Sequence, residues 1–119
     1  MSRERFEQEL SRLQEKVFAL GTTAEQAVRS SVEALVRRDL VAARRLIDGD
    51  NLINERRFEL ENEILTIIAT QQPMAVDLRK LASMLELVGE VERIADYAKG
   101  IANIAIMIGV EPLVKPLVD

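Results

Sequence analysis

The feature that most constrains the fold of this sequence is the spacing of its apolar residues, which alternates steps of four and three over long stretches. Steps of this size keep side chains on one face of an α-helix. In the first segment the series runs through Phe6, Leu10, Leu13, Val17, Leu20, Ala24, Ala27, Ser31 and Leu35. The pattern predicts a long amphipathic helix that packs against other helices.

Two breaks divide the chain into three such helices. Arg37-Arg38-Asp39 supplies basic residues that suit a helix C-terminus and an aspartate that can cap the next helix. Gln71-Gln72-Pro73 forms the second break, because proline disfavours helical backbone at the residue before it. We therefore predict an all-α protein, an elongated up-down-up three-helix bundle with helices at about 2–37, 40–70 and 74–108.

The later helices carry similar apolar series. The predicted inward residues are Ala43, Leu46, Ile53, Leu60, Ile64 and Ile67, followed by Leu78, Leu81, Leu85, Val88, Val91, Ala95, Ala98, Ala102 and Ala105. The last turns, from Ile101 to Ile108, are apolar on all sides, which indicates burial at the bundle end or contact with a second bundle. We expect one bundle domain at 1–110 and a linker-like tail at 111–119.

Composition excludes several classes of function. The 119 residues include no histidine and no cysteine, which removes the usual general base, zinc ligand and thiol nucleophile. We predict that the protein is not an enzyme and binds no organic cofactor. The net charge of −4 and the few aromatic residues argue against nucleic acid as a partner. With no stretch long enough to span a membrane and no signal-peptide pattern, we expect a cytoplasmic location.

Acidic and amide side chains interrupt the apolar pattern at mid-length. Asp50, Asn54 and Glu61 share one face of the second helix, and Glu92 and Asp96 share one face of the third. If the two helices fold back about Pro73, Asp50 lies opposite Asp96 and Asn54 lies opposite Glu92, to within about one helical turn. The spacing thus predicts that three carboxylates and an amide meet between the two helices.

Two interpretations of this cluster stay open. Like charges held close together repel unless a cation or basic side chains offset them. An all-oxygen donor set suits hard ions such as Mg²⁺, Ca²⁺, Mn²⁺ or ferric iron, which predicts a metal site at Glu92, Asp96, Asp50, Asn54 and Glu61. Alternatively, the cluster is a solvated acidic face with salt bridges to the nearby basic residues Arg57, Arg93 and Lys99.

Three separated motifs resemble those of the PhoU family of phosphate-uptake regulators, in order along the whole chain. Residues 72–79, Gln-Pro-Met-Ala-Val-Asp-Leu-Arg, look like the family's Q-P-x-A-x-D-L-R turn. Residues 92–96, Glu-Arg-Ile-Ala-Asp, resemble its E-R-I-x-D signature, which contains the E-x-x-x-D metal motif. Asp50, Ile53 and Asn54 match the D-x-x-[IV]-N element of the preceding helix.

The resemblance implies a function as well as a fold. PhoU-like proteins carry two three-helix repeats, often dimerise, and act as negative regulators of the phosphate-starvation response. They link the ATPase subunit of the phosphate ABC transporter to a membrane sensor histidine kinase, which implies a cytoplasmic protein that reaches the inner membrane through its partners. Some members hold iron or zinc clusters on their E-x-x-x-D motifs, which correspond here to Glu92 and Asp96.

One departure from the family pattern concerns the number of repeats. Only the first repeat is recognisable, and residues 111–118 look like the linker to a second one. This leaves two explanations, a truncated chain or a single-repeat protein that pairs with a second copy. The alternative function is a metal-binding domain, or a structural helical oligomerisation domain, without a signalling role.

Overall fold

The computed structural model describes residues 1–109. Three helices account for almost all of them: α1 at Arg3–Arg37, α2 at Leu40–Gln71 and α3 at Ala75–Ile108. They form an elongated bundle, 62 Å long and 26 by 17 Å across. The predicted class and architecture are confirmed, and each helix end lies within one residue of its predicted position. The predicted tail at 111–119 lies outside the described residues.

The helix ends follow the local sequence. Ser2 caps α1 by accepting a hydrogen bond from the amide of Arg5, and Asp39 caps α2 by accepting one from the amide of Ala42. Arg38 and Gln72 end α1 and α2 in the left-handed backbone region, with φ of 57° and 48°. Both turns are therefore as short as the sequence breaks predict, and consecutive helices are antiparallel neighbours.

Two apolar clusters fill the bundle. The larger contains the fully buried Leu13, Ile64, Leu81 and Val88, and it occupies the half of the bundle that includes the Pro73 turn. The smaller cluster, near the turn between α1 and α2, is built from Ala34, Ala43, Ala102 and Ala105. Small side chains at these four positions allow the helices to approach closely at that end.

Most of the predicted inward series is buried, and Ala27, Leu46, Ile53 and Leu85 are partly buried. Leu78 is exposed and Met84 is buried instead, because α3 begins at the end of the bundle and Leu78 in its first turn has fewer neighbours. Ala34 is buried at the end of α1, where the predicted Leu35 is partly buried. The buried aspartate Asp50 occupies a core position on α2 between the two clusters.

The structure also reports on membrane crossing and on the apolar end of α3. In the part of the chain that the structure describes, no helix has both the length and the apolar character that a membrane crossing requires. At the end of α3, Ile106 packs against the smaller cluster, whereas Ile104 and Met107 are exposed. The last turns of this helix are thus only partly covered by the bundle itself.

Candidate functional site

Asp50 is the only charged residue that is buried among residues 1–109, with 4% of its surface exposed. Its Oδ2 accepts a hydrogen bond from Asn54 Nδ2 at 3.1 Å, one helical turn further along α2. Lys99 reaches across from α3 and places its Nζ 3.6 Å from the same oxygen. A buried carboxylate needs such a counter-charge, because desolvation penalises an isolated ion.

Arg57 forms the second ion pair between the facing surfaces of α2 and α3. Its Nη1 lies 2.9 Å from Glu61 Oε1 on its own helix and 3.6 Å from Glu92 Oε2 on α3. The arginine side chain is mostly buried, and its Nε atom is buried without a hydrogen-bond partner. Arg57 therefore offsets two carboxylates at once, but its hydrogen-bonding capacity is not fully used.

We call Asp50, Arg57, Glu92 and Lys99 the charged layer, because all four occupy the seam between α2 and α3. Asp50 and Arg57 are seven residues apart and continue the series of Ala43 and Ile64 on the buried side of α2. Glu92 and Lys99 are likewise seven residues apart on α3. In this antiparallel pair of helices each helix presents one acidic and one basic residue. The acidic residue of each helix pairs with the basic residue of the other.

The register of this seam differs from the sequence prediction by about one turn. Asp50 pairs with Lys99, three residues beyond the predicted Asp96, and Glu92 pairs with Arg57, three residues beyond the predicted Asn54. Asp96 is exposed and forms no ion pair within the described part of the chain. The prediction centred the pairing of the two helices on Pro73, whereas both observed ion pairs are centred between Met74 and Ala75.

The basic residues that the sequence offered as counter-ions behave differently from one another. Arg57 and Lys99 do pair with carboxylates of the charged layer. Arg93 instead pairs with Glu90 on its own helix, at 3.5 Å and exposed to solvent. Two of the three predicted counter-ions are thus confirmed.

This arrangement does not fit a bound metal as it stands. Within residues 1–109 there is no group of three or more acidic, histidine or cysteine side chains close enough to hold an ion. The carboxylates of Asp50, Glu61 and Glu92 already face the cationic groups of Lys99 and Arg57. Cation binding by Glu92, Asp96, Asp50, Asn54 and Glu61 stays a prediction, and it requires these basic side chains to move away.

A separate ion pair joins the starts of α1 and α3. Arg3 donates two guanidinium hydrogen bonds to the carboxylate of Asp77, and a third to Glu7. The hydrogen bonds from Arg3 hold the pKa of Asp77 below its usual value, and the pKa of Arg3 rises in turn. Asp77 belongs to the Q-P-x-A-x-D-L-R motif, so this part of the motif ties α1 to α3.

The outer side of α3 carries a second apolar series, of which the sequence analysis recognised only the end, from Ile101 to Ile108. Ile94, Tyr97, Ile101, Ile104 and Ile108, which we call the isoleucine stripe, follow one another in steps of three and four. Tyr97 is 69% exposed and Ile104 is 48% exposed, whereas the other three are partly buried, and Ile94 at the start of the stripe packs against the larger cluster. The heptad spacing was visible in the sequence, but a core-facing series on the same helix masked it.

A groove between α1 and α3 was also not predicted. Its volume is about 460 Å³ and its lining includes Val17 and Phe18 from α1 with Val76, Met84 and Leu87 from α3. Phe18 is 78% exposed. The available signal was that Phe18 directly follows the inward Val17 and therefore cannot share its face.

Comparison with known proteins identifies the class of protein to which this bundle and its motifs belong. A family model described as the PhoU domain matches residues 17–105. Proteins named phosphate-specific transport system accessory protein PhoU homolog are 34% identical over 98 residues in Rhizobium meliloti, 35% over 104 in Clostridium acetobutylicum and 32% over 111 in Aquifex aeolicus. The three-helix bundle thus belongs to the class of PhoU-domain proteins.

The chain belongs to the PhoU family. The three matches cover 82%, 87% and 93% of this chain but 41%, 48% and 50% of the respective relatives. The chain therefore spans about half the length of the relatives that it matches. The function of the whole relatives applies to this chain only as a proposal.

Proposed function

We propose that this chain is a regulatory adaptor of phosphate uptake and a negative regulator of phosphate-starvation signalling. It acts by protein contacts with the ATPase subunit of the phosphate ABC transporter and with a phosphate-sensing histidine kinase. Membership in the PhoU family supports the link to phosphate transport, because the relatives are named as accessory proteins of that system. The proposed location is the cytoplasm, at the inner membrane through these partners.

The observation that carries a contact function is the exposure of large apolar side chains on α1 and α3. Phe18, Leu87, Tyr97, Ile104 and Met107 are all exposed. Phe18 and Leu87 line the same groove, and exposed apolar side chains grouped in this way are typical of sites that bind other proteins. The absence of histidine and cysteine from the sequence further supports a function without catalysis.

The isoleucine stripe supports the proposal of a homodimer. Apolar residues repeating in steps of three and four form the seam along which two helices pack, and the same stripe on a second copy is self-complementary. Ile104 is 48% exposed and Ile101 and Ile108 are partly buried, on a helix that is already packed on its other side, which supports a contact outside the bundle. The dimer would bury the isoleucine stripe of both copies.

A phosphate-starvation reporter tests the proposed function directly. The chain is expressed in a host that lacks its own PhoU-family gene, and reporter expression is measured in high phosphate. We expect the chain to lower reporter expression, and immobilised chain to retain the ATPase subunit or the sensor kinase from solubilised membranes of that host. Unchanged reporter expression together with no retention of either protein contradicts the proposal.

A further inference from the structure

The Arg79 side chain of the Q-P-x-A-x-D-L-R motif has no partner within the described residues, although Asp77 of the same motif does. Asp77 is bound by Arg3, whereas neither Arg79 nor its neighbour Lys80 lies within ion-pair distance of a carboxylate in residues 1–109. Both basic side chains are exposed and both line the groove between α1 and α3. This groove therefore carries positive charge that the bundle itself does not neutralise.

The floor and walls of the groove are apolar. Val17 and Met84 are buried and form its floor, while Phe18, Val76 and Leu87 are more than half exposed and form its walls. From Val76 to Leu87 the groove follows α3 for about 16 Å, or about three helical turns. Methionine in the floor can adapt its shape to an incoming side chain. These dimensions suit a short helical segment better than a small molecule, because the walls are too exposed to enclose one.

The groove on the other side of α1 provides a contrast. It is smaller, about 270 Å³, and lies between α1 and α2. Its charged groups compensate one another, since Lys16 Nζ lies 3.3 Å from Glu63 Oε1 and Arg12 also reaches Glu63. Only the groove between α1 and α3 combines an apolar floor with unneutralised charge of one sign among the grooves described here.

We propose that the α1–α3 groove binds an acidic amphipathic segment of a partner protein, whose apolar side chains fill the groove and whose carboxylates face Arg79 and Lys80. The charge complementarity favours this occupant. A concave floor favours a helix with protruding side chains over a flat lipid surface. The inference rests on the proposed function and deepens it by naming the surface and the chemistry of the partner.

The test uses the full chain and two designed sixteen-residue peptides. Both carry leucines in steps of three and four; one has glutamates at the remaining positions and the other has lysines. We expect the glutamate peptide to bind saturably below about 1 mM and more weakly as salt increases, because its charges are screened. Amide chemical shifts should change around Phe18, Ser83 and Leu87. The lysine peptide should bind at least about tenfold more weakly.

Matched variants locate the binding. Phe18→Ala, which removes an exposed aromatic wall, and the double variant Arg79→Glu/Lys80→Glu should each weaken binding about tenfold. Phe58→Ala removes a similarly exposed phenylalanine on α2, and Arg44→Glu/Arg45→Glu reverses an exposed basic pair on the same helix. These controls should stay within about twofold of the unaltered chain, apart from the long-range effect of net charge, which added salt suppresses.

Four results would overturn the inference. They are the absence of saturable glutamate-peptide binding up to 1 mM, equal binding of the lysine peptide, shift changes confined to α2, and stronger retention on anionic phospholipid vesicles than on the glutamate peptide. Dissociation of a dimer by Phe18→Ala would assign the groove to a second copy instead. Because peptide binding is measured without phosphate signalling, these outcomes are separate from the reporter test of the proposed function.

Discussion

Lys99 on α3 places its ammonium group 3.6 Å from the carboxylate of Asp50, the buried acidic residue of α2. The second cross-helix pair, Arg57 with Glu92, has the opposite polarity. A slip of α3 by seven residues in one direction brings Asp50 opposite Glu92, and a slip in the other brings Arg57 opposite Lys99. Both slips place like charges together, so the charged layer specifies the register in which the two helices pack.

Removing the Lys99 charge should destabilise the bundle. We expect Lys99→Met to lower the free energy of unfolding by about 1–2 kcal/mol, less than for a fully buried pair because Lys99 is partly exposed. The double variant Asp50→Asn/Lys99→Met should recover part of this loss, since no unpaired buried charge remains. Urea unfolding measures the free energy of unfolding of the single and the double variant. Lys80→Met, at an exposed lysine without an ion pair in residues 1–109, is the control, and an equal loss there would contradict the role of Asp50.

A metal ion at the seam must compete with Arg57 and Lys99. We expect Mn²⁺ to raise the melting temperature of Arg57→Gln/Lys99→Met more than that of the unaltered chain, because the carboxylates then lack internal counter-ions. Adding Glu92→Gln and Asp96→Asn to that background should abolish the increase. An increase that survives these changes, or no increase in any variant, would argue against the predicted cation site.

Replacing Gln72 by glycine should stabilise the folded protein. Its φ of 48° and ψ of 55° lie in the left-handed region, which is unfavourable for a residue with a Cβ, and the following Pro73 restricts it further. We expect Gln72→Gly to raise the free energy of unfolding by about 0.5–1 kcal/mol. Gln71→Gly, at the last helical position of α2, should instead lower it, and stability curves for the two neighbouring variants provide a direct comparison.

The Arg3–Asp77 pair predicts a pH dependence. Because the pKa of Asp77 is lowered in the folded protein, its stabilising effect is present above the unfolded-state value, near 3.8, and is lost as pH falls through the folded-state value. Asp77→Asn should therefore lower the melting temperature at pH 7, and this difference should vanish at the acidic end of a series from pH 7 to 2. Asp48→Asn, at an exposed aspartate, should match the unaltered chain throughout; a difference for Asp77→Asn that grows in acid would refute the assignment.

The isoleucine stripe predicts a self-association that one substitution disrupts. We expect sedimentation equilibrium at micromolar concentration to give a dimer, and Ile104→Glu to give a monomer, because a charge in the heptad seam cannot be buried unpaired. Leu65→Glu on α2 is the control, since Leu65 is 50% exposed and Ile104 is 48% exposed. A monomeric unaltered chain, or dissociation by both substitutions, would refute the proposed seam.

The sequence could predict the helices, their ends and most of the core. Apolar steps of three and four, the caps at Ser2 and Asp39 and the break at Pro73 all act over a few residues, so reading them requires no knowledge of the neighbouring helices. The same periodicity could also indicate which residues of α2 and α3 share a face. It could not decide which turn of α3 lies opposite a given turn of α2.

That choice depends on the path of the turn from Gln72 to Met74, because this path sets how far α3 is shifted along α2. A shift of three residues decides whether Asp96 or Lys99 lies opposite Asp50. The sequence by itself determined three amphipathic helices and an excess of polar groups in one seam, because helix geometry fixes spacing within a helix. Only the tertiary structure decided that these groups form two opposed ion pairs, and that Arg79 lies beside an apolar groove without an ion-pair partner in residues 1–109. Contacts between helices depend on their relative translation and rotation, which no local pattern specifies.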